Sequence, residues 1–267
     1  MALPLSCLAE ETSEALRFAV FPYKSPKSVI EMFEPIAARL EKKLGRKVQI
    51  VYTPDVQRFV ERGKKGEYDI VWPSTVTYFK LTNGYTVIAK GMPAFFGGLI
   101  VRNDSEIQTL KQCRGKRLAA FGTSSSAYML LMEMLKEKGI TPQKDVDIEF
   151  LGKHDSVIYG VLNKKFDAGV IKLDTLDLPD LAPLKNQFRV VARSIAVPQF
   201  PFLVKNGMDQ RTVAAIREVL TSLSPDKPED LEILKGLQVE KIVGATSADY
   251  DQFYEVIKDT EYNKQHN

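Results

Sequence analysis

Arg117-Leu118-Ala119-Ala120-Phe121-Gly122-Thr123-Ser124-Ser125-Ser126-Ala127-Tyr128 is the stretch on which the reading turns. Arg117 to Phe121 reads as a strand, Gly122 as a turn, and the hydroxyl run as the start of a helix that stops at Gly139. The same grammar repeats on the C-terminal side. Val146 to Leu151 is strand-like, His154 to Leu162 helical, and Asp167 to Ile171 strand-like. It also repeats on the N-terminal side. Leu16 to Phe21 forms a strand, and Ser25-Pro26 opens a helix with Val29, Ile30, Phe33, Ile36, Ala37 and Leu40 on one face, stopped by Gly45. Val48 to Tyr52 is a strand, Asp55 caps a helix that ends near Gly63, and Tyr68 to Trp72 leads into a helix at Pro73-Ser74-Thr75. Short links between alternating strands and helices predict parallel sheets with helices on both faces, the α/β class.

Two such units without a flexible linker predict two α/β lobes joined by ordered crossing strands. The crossings are expected near Leu99–Arg102 and Ala192–Ala196. The first lobe would then comprise residues 16–101 and 196–267, and the second residues 102–195. Phe188 to Ala192 and Ile195 to Val204 read as extended, while Asp209 and the Thr246–Asp249 box start helices. A small ligand would sit in the cleft, at the carboxyl ends of the strands.

Composition narrows the function. The chain has 267 residues, 44% hydrophobic and 27% charged, which suits a folded globular protein long enough for two domains. Lys and Arg number 37 against 34 Asp and Glu, a net charge of +3 and too balanced for a protein that grips nucleic acid by neutralising phosphates. No run approaches the ~20 apolar residues of a membrane span. Two cysteines and two histidines exclude a disulfide scaffold or a cysteine-rich zinc site. Neither a metal nor a cofactor is expected. Residues 1–15 lie outside the fold pattern. Leu3 to Ala9 is apolar and small and is followed by Glu10 and Glu11, the ending of a secretory signal cleaved after Ala9; lipidation at Cys7 is the alternative, weakened by Pro4.

The hydroxyl run is the strongest candidate site. Thr123, Ser124, Ser125 and Ser126 stand where a helix exposes unsatisfied N–H groups and the positive end of its dipole, an arrangement that receives an oxyanion. One N-cap serine with bystanders is the plainer alternative, and four hydroxyls exceed what capping needs. His154 follows the neighbouring strand and is placed to donate to the same anion, or else simply starts its helix. Trp72, Ser74 and Thr75 occupy the equivalent strand end of the first lobe, and Tyr23 its first loop. No GxSxG, HExxH or GxGxxG pattern is present. Cys113 lies near Arg114 and Lys116 and reads as a half-buried, inert thiol.

In order and spacing the chain resembles the phosphonate-binding family of periplasmic receptors of ABC transporters, within the type II periplasmic binding proteins. The resemblance runs through Phe18-Ala19-Val20-Phe21-Pro22, Phe33 to Gly45, Gly66 to Val71, Ile100 to Ser105, Leu110 to Lys116, the Ser124–Ser126 run, His154-Asp155 and Phe166 to Gly169. It implies a tetrahedral oxyanion held by Ser124, Ser125, Ser126 and His154, with Thr123 and Tyr128 beside them. It also implies first-lobe tyrosines that this chain lacks, having Val56 and Phe95 at those places. Tyr23, Trp72, Ser74 and Thr75 are the candidate replacements, and Asp174 and Gln199 fall where some relatives meet a ligand amine. The implied function is that of an extracytoplasmic, monomeric receptor that is no enzyme and passes phosphonate, phosphite or a related oxyanion to an ABC permease. A receptor subunit for a sensor kinase or chemotaxis system, or an enzyme on the same fold, are the alternatives.

Overall fold

The computed structural model describes residues 14–23 and 25–260. The expectations for cleavage after Ala9 and lipidation of Cys7 fall outside them.

The chain begins with strand β1 (Leu16–Val20), helix α1 (Pro26–Leu44), β2 (Val48–Val51), α2 (Val56–Lys64), β3 (Ile70–Trp72), the single-turn α3 (Thr75–Tyr78) and β4 (Tyr85–Met92). The second unit follows as β5 (Phe95–Arg102), β6 (Arg117–Ala120), α4 (Ser126–Glu137), β7 (Asp147–Phe150), α5 (His154–Leu162), β8 (Ala168–Lys172) and β9 (Phe188–Val197). The chain then returns through β10 (Pro201–Lys205), α6 (Gln210–Thr221), α7 (Pro228–Gly236), β11 (Lys241–Gly244) and α8 (Asp251–Ile257).

Local chemistry sets the helix boundaries. Ser25 Oγ accepts from the Ser28 N–H at 3.3 Å, Asp55 Oδ1 from Arg58 at 2.7 Å and Asp209 Oδ1 from Thr212 at 2.9 Å, each tying up one orphan amide of a first turn. Gly45 ends α1 in the left-handed region at φ 62°, where it closes a bond to the Glu41 carbonyl. Asp249 accepts from the Thr246 N–H at 2.8 Å, as the capping-box spacing predicts, although a 3₁₀ turn precedes α8 there.

Two sheets organise the molecule, in the orders β11-β4-β10-β3-β1-β2 and β7-β6-β8-β5-β9. They are mixed rather than wholly parallel. β1, β2 and β3 run together, as do β6, β7 and β8, while β10 pairs antiparallel with β3 and β4, and β5 antiparallel with β8 and β9. The antiparallel strands are those that carry the chain between the sheets. Phe18, Phe33, Leu40, Ile70, Phe202 and Ile216 fill the core of the first unit, and Leu99, Leu118, Leu131, Leu135 and Val170 that of the second. Burying each such side chain contributes about 1.5–3 kcal/mol.

The crossings lie elsewhere than the sequence suggests. The chain leaves the first sheet between Met92 and Phe95 and returns between Val197 and Pro201, so all of Phe95–Arg102 and Ala192–Val197 belong to the second sheet. The misreading has a cause in Gly97 and Gly98, which look like strand breakers. Their role is close approach. A Cβ on Gly97 would stand 2.8 Å from Ala127 Cα, and one on Gly98 2.4 Å from Leu173. Gln199 fastens the two crossings together, its Nε2 donating to the Pro93 carbonyl at 3.1 Å. An apolar cluster spans the units at this point, with Val76 of α3, Phe95, Met129, Leu130, Val197, and Phe253 and Ile257 of α8.

Candidate functional site

The second sheet gathers its chemistry along one edge. β6, β7 and β8 are parallel, so Ala120, Phe150 and Lys172 end at the same side. β5 runs the other way, so Phe95 begins there, paired with Val197 at the end of β9. In sheet order this edge presents His154 after β7, the hydroxyl run after β6, Lys172 and Asp174 at the end of β8, and Phe95. The crossings start from the same edge, which turns it toward the carboxyl ends of β1 and β3. It is at this edge that the sequence reading expects a ligand.

Ser125 occupies the N-cap position of α4, yet its hydroxyl makes no capping bond. Among the described residues the side chains of Thr123, Ser124, Ser125 and Ser126 have no hydrogen-bond partner, while the Ser125 N–H is held by the Gly122 carbonyl at 3.1 Å. Helices α1, α2 and α6 use their cap side chains. At α4 the cap position makes no such bond. Ser126 is buried, and the other three are half-buried or exposed.

His154 begins α5 and stacks on Phe121, ring centroids 4.9 Å apart and planes at 25°. Its Nδ1 is buried without a hydrogen-bond partner. Burial, reinforced by the nearby Lys172 ammonium and opposed by Asp155, pushes the imidazole down to about 4. At neutral pH it is therefore uncharged, with one ring nitrogen a donor and the other an acceptor.

The first unit contributes less than expected. Trp72 is 5% exposed and packs among Phe33, Phe200 and Phe202, so it belongs to the core rather than to a lid. Ser74 Oγ accepts from the Thr77 N–H at 3.1 Å and donates to Thr77 Oγ1 at 2.8 Å, capping α3. Thr75 Oγ1 donates to the Pro198 carbonyl at 2.9 Å and ties α3 to the returning crossing. The Tyr23 hydroxyl meets Met32 Sδ at 2.8 Å, and burial pushes its pKa up. Tyr128 turns edge-on to Phe150 at 5.1 Å. These hydroxyls and rings have local partners, whereas those of the α4 start have none. Phe95 is buried in the inter-unit cluster, with one face under the Lys172 ammonium at 4.7 Å. Val56 opens α2 behind the Asp55 cap, and Gln199 is committed to the crossings.

Sequence reasoning passed over Lys172. The available signal was its place, a charged residue closing the buried run Ala168-Gly169-Val170-Ile171 at the edge that carries the hydroxyl run.

Fold and edge together define a bilobal solute-binding protein of the type II periplasmic class. The chain belongs to the family of ABC transporter phosphonate periplasmic substrate-binding proteins, whose profile matches residues 18–250. It is thus an extracytoplasmic substrate-binding component of an ABC transporter. It is 26% identical to the phosphonates-binding periplasmic protein of Escherichia coli over 243 residues, covering 86% of this chain and 72% of that protein. To the phosphate-import protein of Mycolicibacterium smegmatis it is 24% identical, over 80% of this chain and 73% of that protein. A solved Prochlorococcus marinus protein in complex with methylphosphonate superposes with a TM-score of 0.77 at 16% identity, covering 93% of this chain and 98% of that one.

Proposed function

We propose that the chain captures a tetrahedral oxyanion, a phosphonate, phosphite or close relative, at the start of α4 and carries it to its permease. The observation that carries this reading is the unused N-cap of α4. Ser125 stands at the N-cap without a capping bond, and no described residue takes the hydroxyls of Thr123, Ser124, Ser125 or Ser126. The helix dipole favours negative charge there. Neutral His154 supplies one more donor from the adjacent strand end, and the absence of a full charge on these five groups suits a carrier that must also release its cargo.

Closure is proposed to bend the short segments around Pro93 and Gln199, bringing the α3 start toward the α4 start. Residues 14–92 and 201–260 would move against residues 95–197.

Isothermal titration against methylphosphonate, phosphite, phosphate and sulfate tests the reading. One of the phosphorus oxyanions should bind at micromolar concentration or tighter. Replacing Ser124, Ser125 and Ser126 together by alanine should abolish it, because each lost hydrogen bond to a charged group costs about 1.5–3 kcal/mol. Undiminished affinity in a folded triple variant would move the site elsewhere.

A further inference from the structure

Lys172 ends β8 at the sheet edge that carries the hydroxyl run, and its surroundings are specific. Its register partner on β5 is Gly97, over which Ala127 of α4 lies. Side chains alternate along β8, and Ala168 and Val170 share a core with Ala127 and Leu131, so Lys172 rises on the α4 side of the sheet. Its ammonium stands 3.0 Å from Asp174 Oδ2 and 4.7 Å from the centre of the Phe95 ring, and its side chain is only 17% exposed. Its charge is felt at His154. An ammonium has three donors. Asp174 and the ring face orient two of them, and the third is available at the sheet edge that carries the hydroxyl run.

Asp174 supplies the second half of the argument. Its side chain is 41% exposed, yet Oδ1 is buried and has no hydrogen-bond partner. A carboxylate so placed attracts any cation that enters the cleft. In this chain a cation is already there, built into the protein two residues away.

Resting on the oxyanion reading above, the geometry points to Lys172 as the residue that sets ligand class. Its ammonium, held by Asp174 and Phe95, donates to the oxyanion and takes the place in which a ligand's own ammonium would meet Asp174. The site therefore selects oxyanions without an amino group and disfavours aminoalkylphosphonates. A ligand ammonium would face Lys172 at close range with its only counter-charge already taken. A simple alkylphosphonate brings only negative charge and shares the lysine with Asp174.

The test compares methylphosphonate with 2-aminoethylphosphonate by titration calorimetry on wild type, Lys172→Met and Asp174→Asn. Methionine keeps the stem and removes the charge. Wild type should bind methylphosphonate at least tenfold more tightly than the amino compound. K172M should lose tenfold or more toward methylphosphonate and gain toward 2-aminoethylphosphonate, reversing the order, and the gain should vanish in the K172M/D174N double variant. D174N alone should weaken the amino compound further, which keeps the proposal testable if K172M fails to fold. Equal binding of both ligands by wild type, or an unchanged order in folded K172M, overturns the lysine's role and leaves the oxyanion reading standing. A wild type that binds neither compound, nor phosphite or phosphate, overturns both.

Discussion

Phe121 and His154 stack face to face, their ring centroids 4.9 Å apart, and this contact joins the end of β6 to the start of α5. The aromatic face covers the imidazole, and burial with the Lys172 charge keeps it neutral at physiological pH. The site proposed above thus combines neutral donors with the Lys172–Asp174 ion pair.

A folded-state pKa of about 4 for His154, below an unfolded value near 6.5, fixes the sign of its pH effect. Above pH 6.5 neither state protonates it and the full stability is present. As pH falls from about 6.5 to 4 the unfolded chain takes up the proton first, so stability is lost, by at most about 3 kcal/mol. Urea unfolding between pH 7 and 4 should show a shallower loss for His154→Gln than for wild type. Identical slopes would mean that the imidazole is not desolvated.

Ser125 and Asp209 hold the same formal position on two helices with different duties. Asp209→Ala should lower stability by about 1 kcal/mol through the lost cap. Ser125→Ala should leave the urea midpoint almost unmoved and weaken oxyanion affinity instead. A stability loss at Ser125 matching that at Asp209 would show an ordinary cap.

At Gly97 the backbone of α4 comes so near that an added methyl would stand 2.8 Å from Ala127 Cα. Gly97→Ala should therefore push the α4 start off β5, costing about 1–3 kcal/mol. It should also reduce ligand affinity more than Gly98→Ala, whose methyl meets the flexible Leu173 side chain rather than backbone. Comparable affinity in the two folded variants would count against α4 as the binding helix.

Cys113 is fully buried in the second core, and burial, with Asp167 nearby, pushes its thiol up to about 11. In a Cys7→Ser background a thiol reagent at pH 8 should label the protein only after denaturation. Rapid labelling of the folded protein would refute the burial. The sequence expectation of a half-buried thiol activated by neither Arg114 nor Lys116 understated how far the residue is enclosed.

Much of the candidate site was legible because it is local. The run from Phe121 to Ser126 announces a strand end, a turn and a helix start within a few residues, and the family resemblance rests on the same residues. Val29, Ile30, Phe33, Ile36, Ala37 and Leu40 likewise mark a helix face by spacing alone, and the structure buries all of them except Ile30, which is exposed. β4, β11 and the first half of β5 were missed. Gly91 in β4 and Gly97 and Gly98 in β5 interrupt the hydrophobic pattern of those two strands, and each glycine answers a neighbour far away in the chain: Val239, Ala127 and Leu173.

Order along the chain determined that two α/β units would form and that hydroxyls would crowd one helix start, because turn chemistry and hydrophobic period act over a few residues. Only the tertiary structure decided which hydroxyls are available. Ser74 and Thr75 look as promising as Ser125 and Ser126 in sequence, yet Ser74 is bound to Thr77 and Thr75 to Pro198, 123 residues on. It likewise decided that Lys172 lies over Phe95 and against Asp174. A strand's pairing partner sets which side chains share an edge, and pairing across a sheet is a long-range choice that no local pattern records.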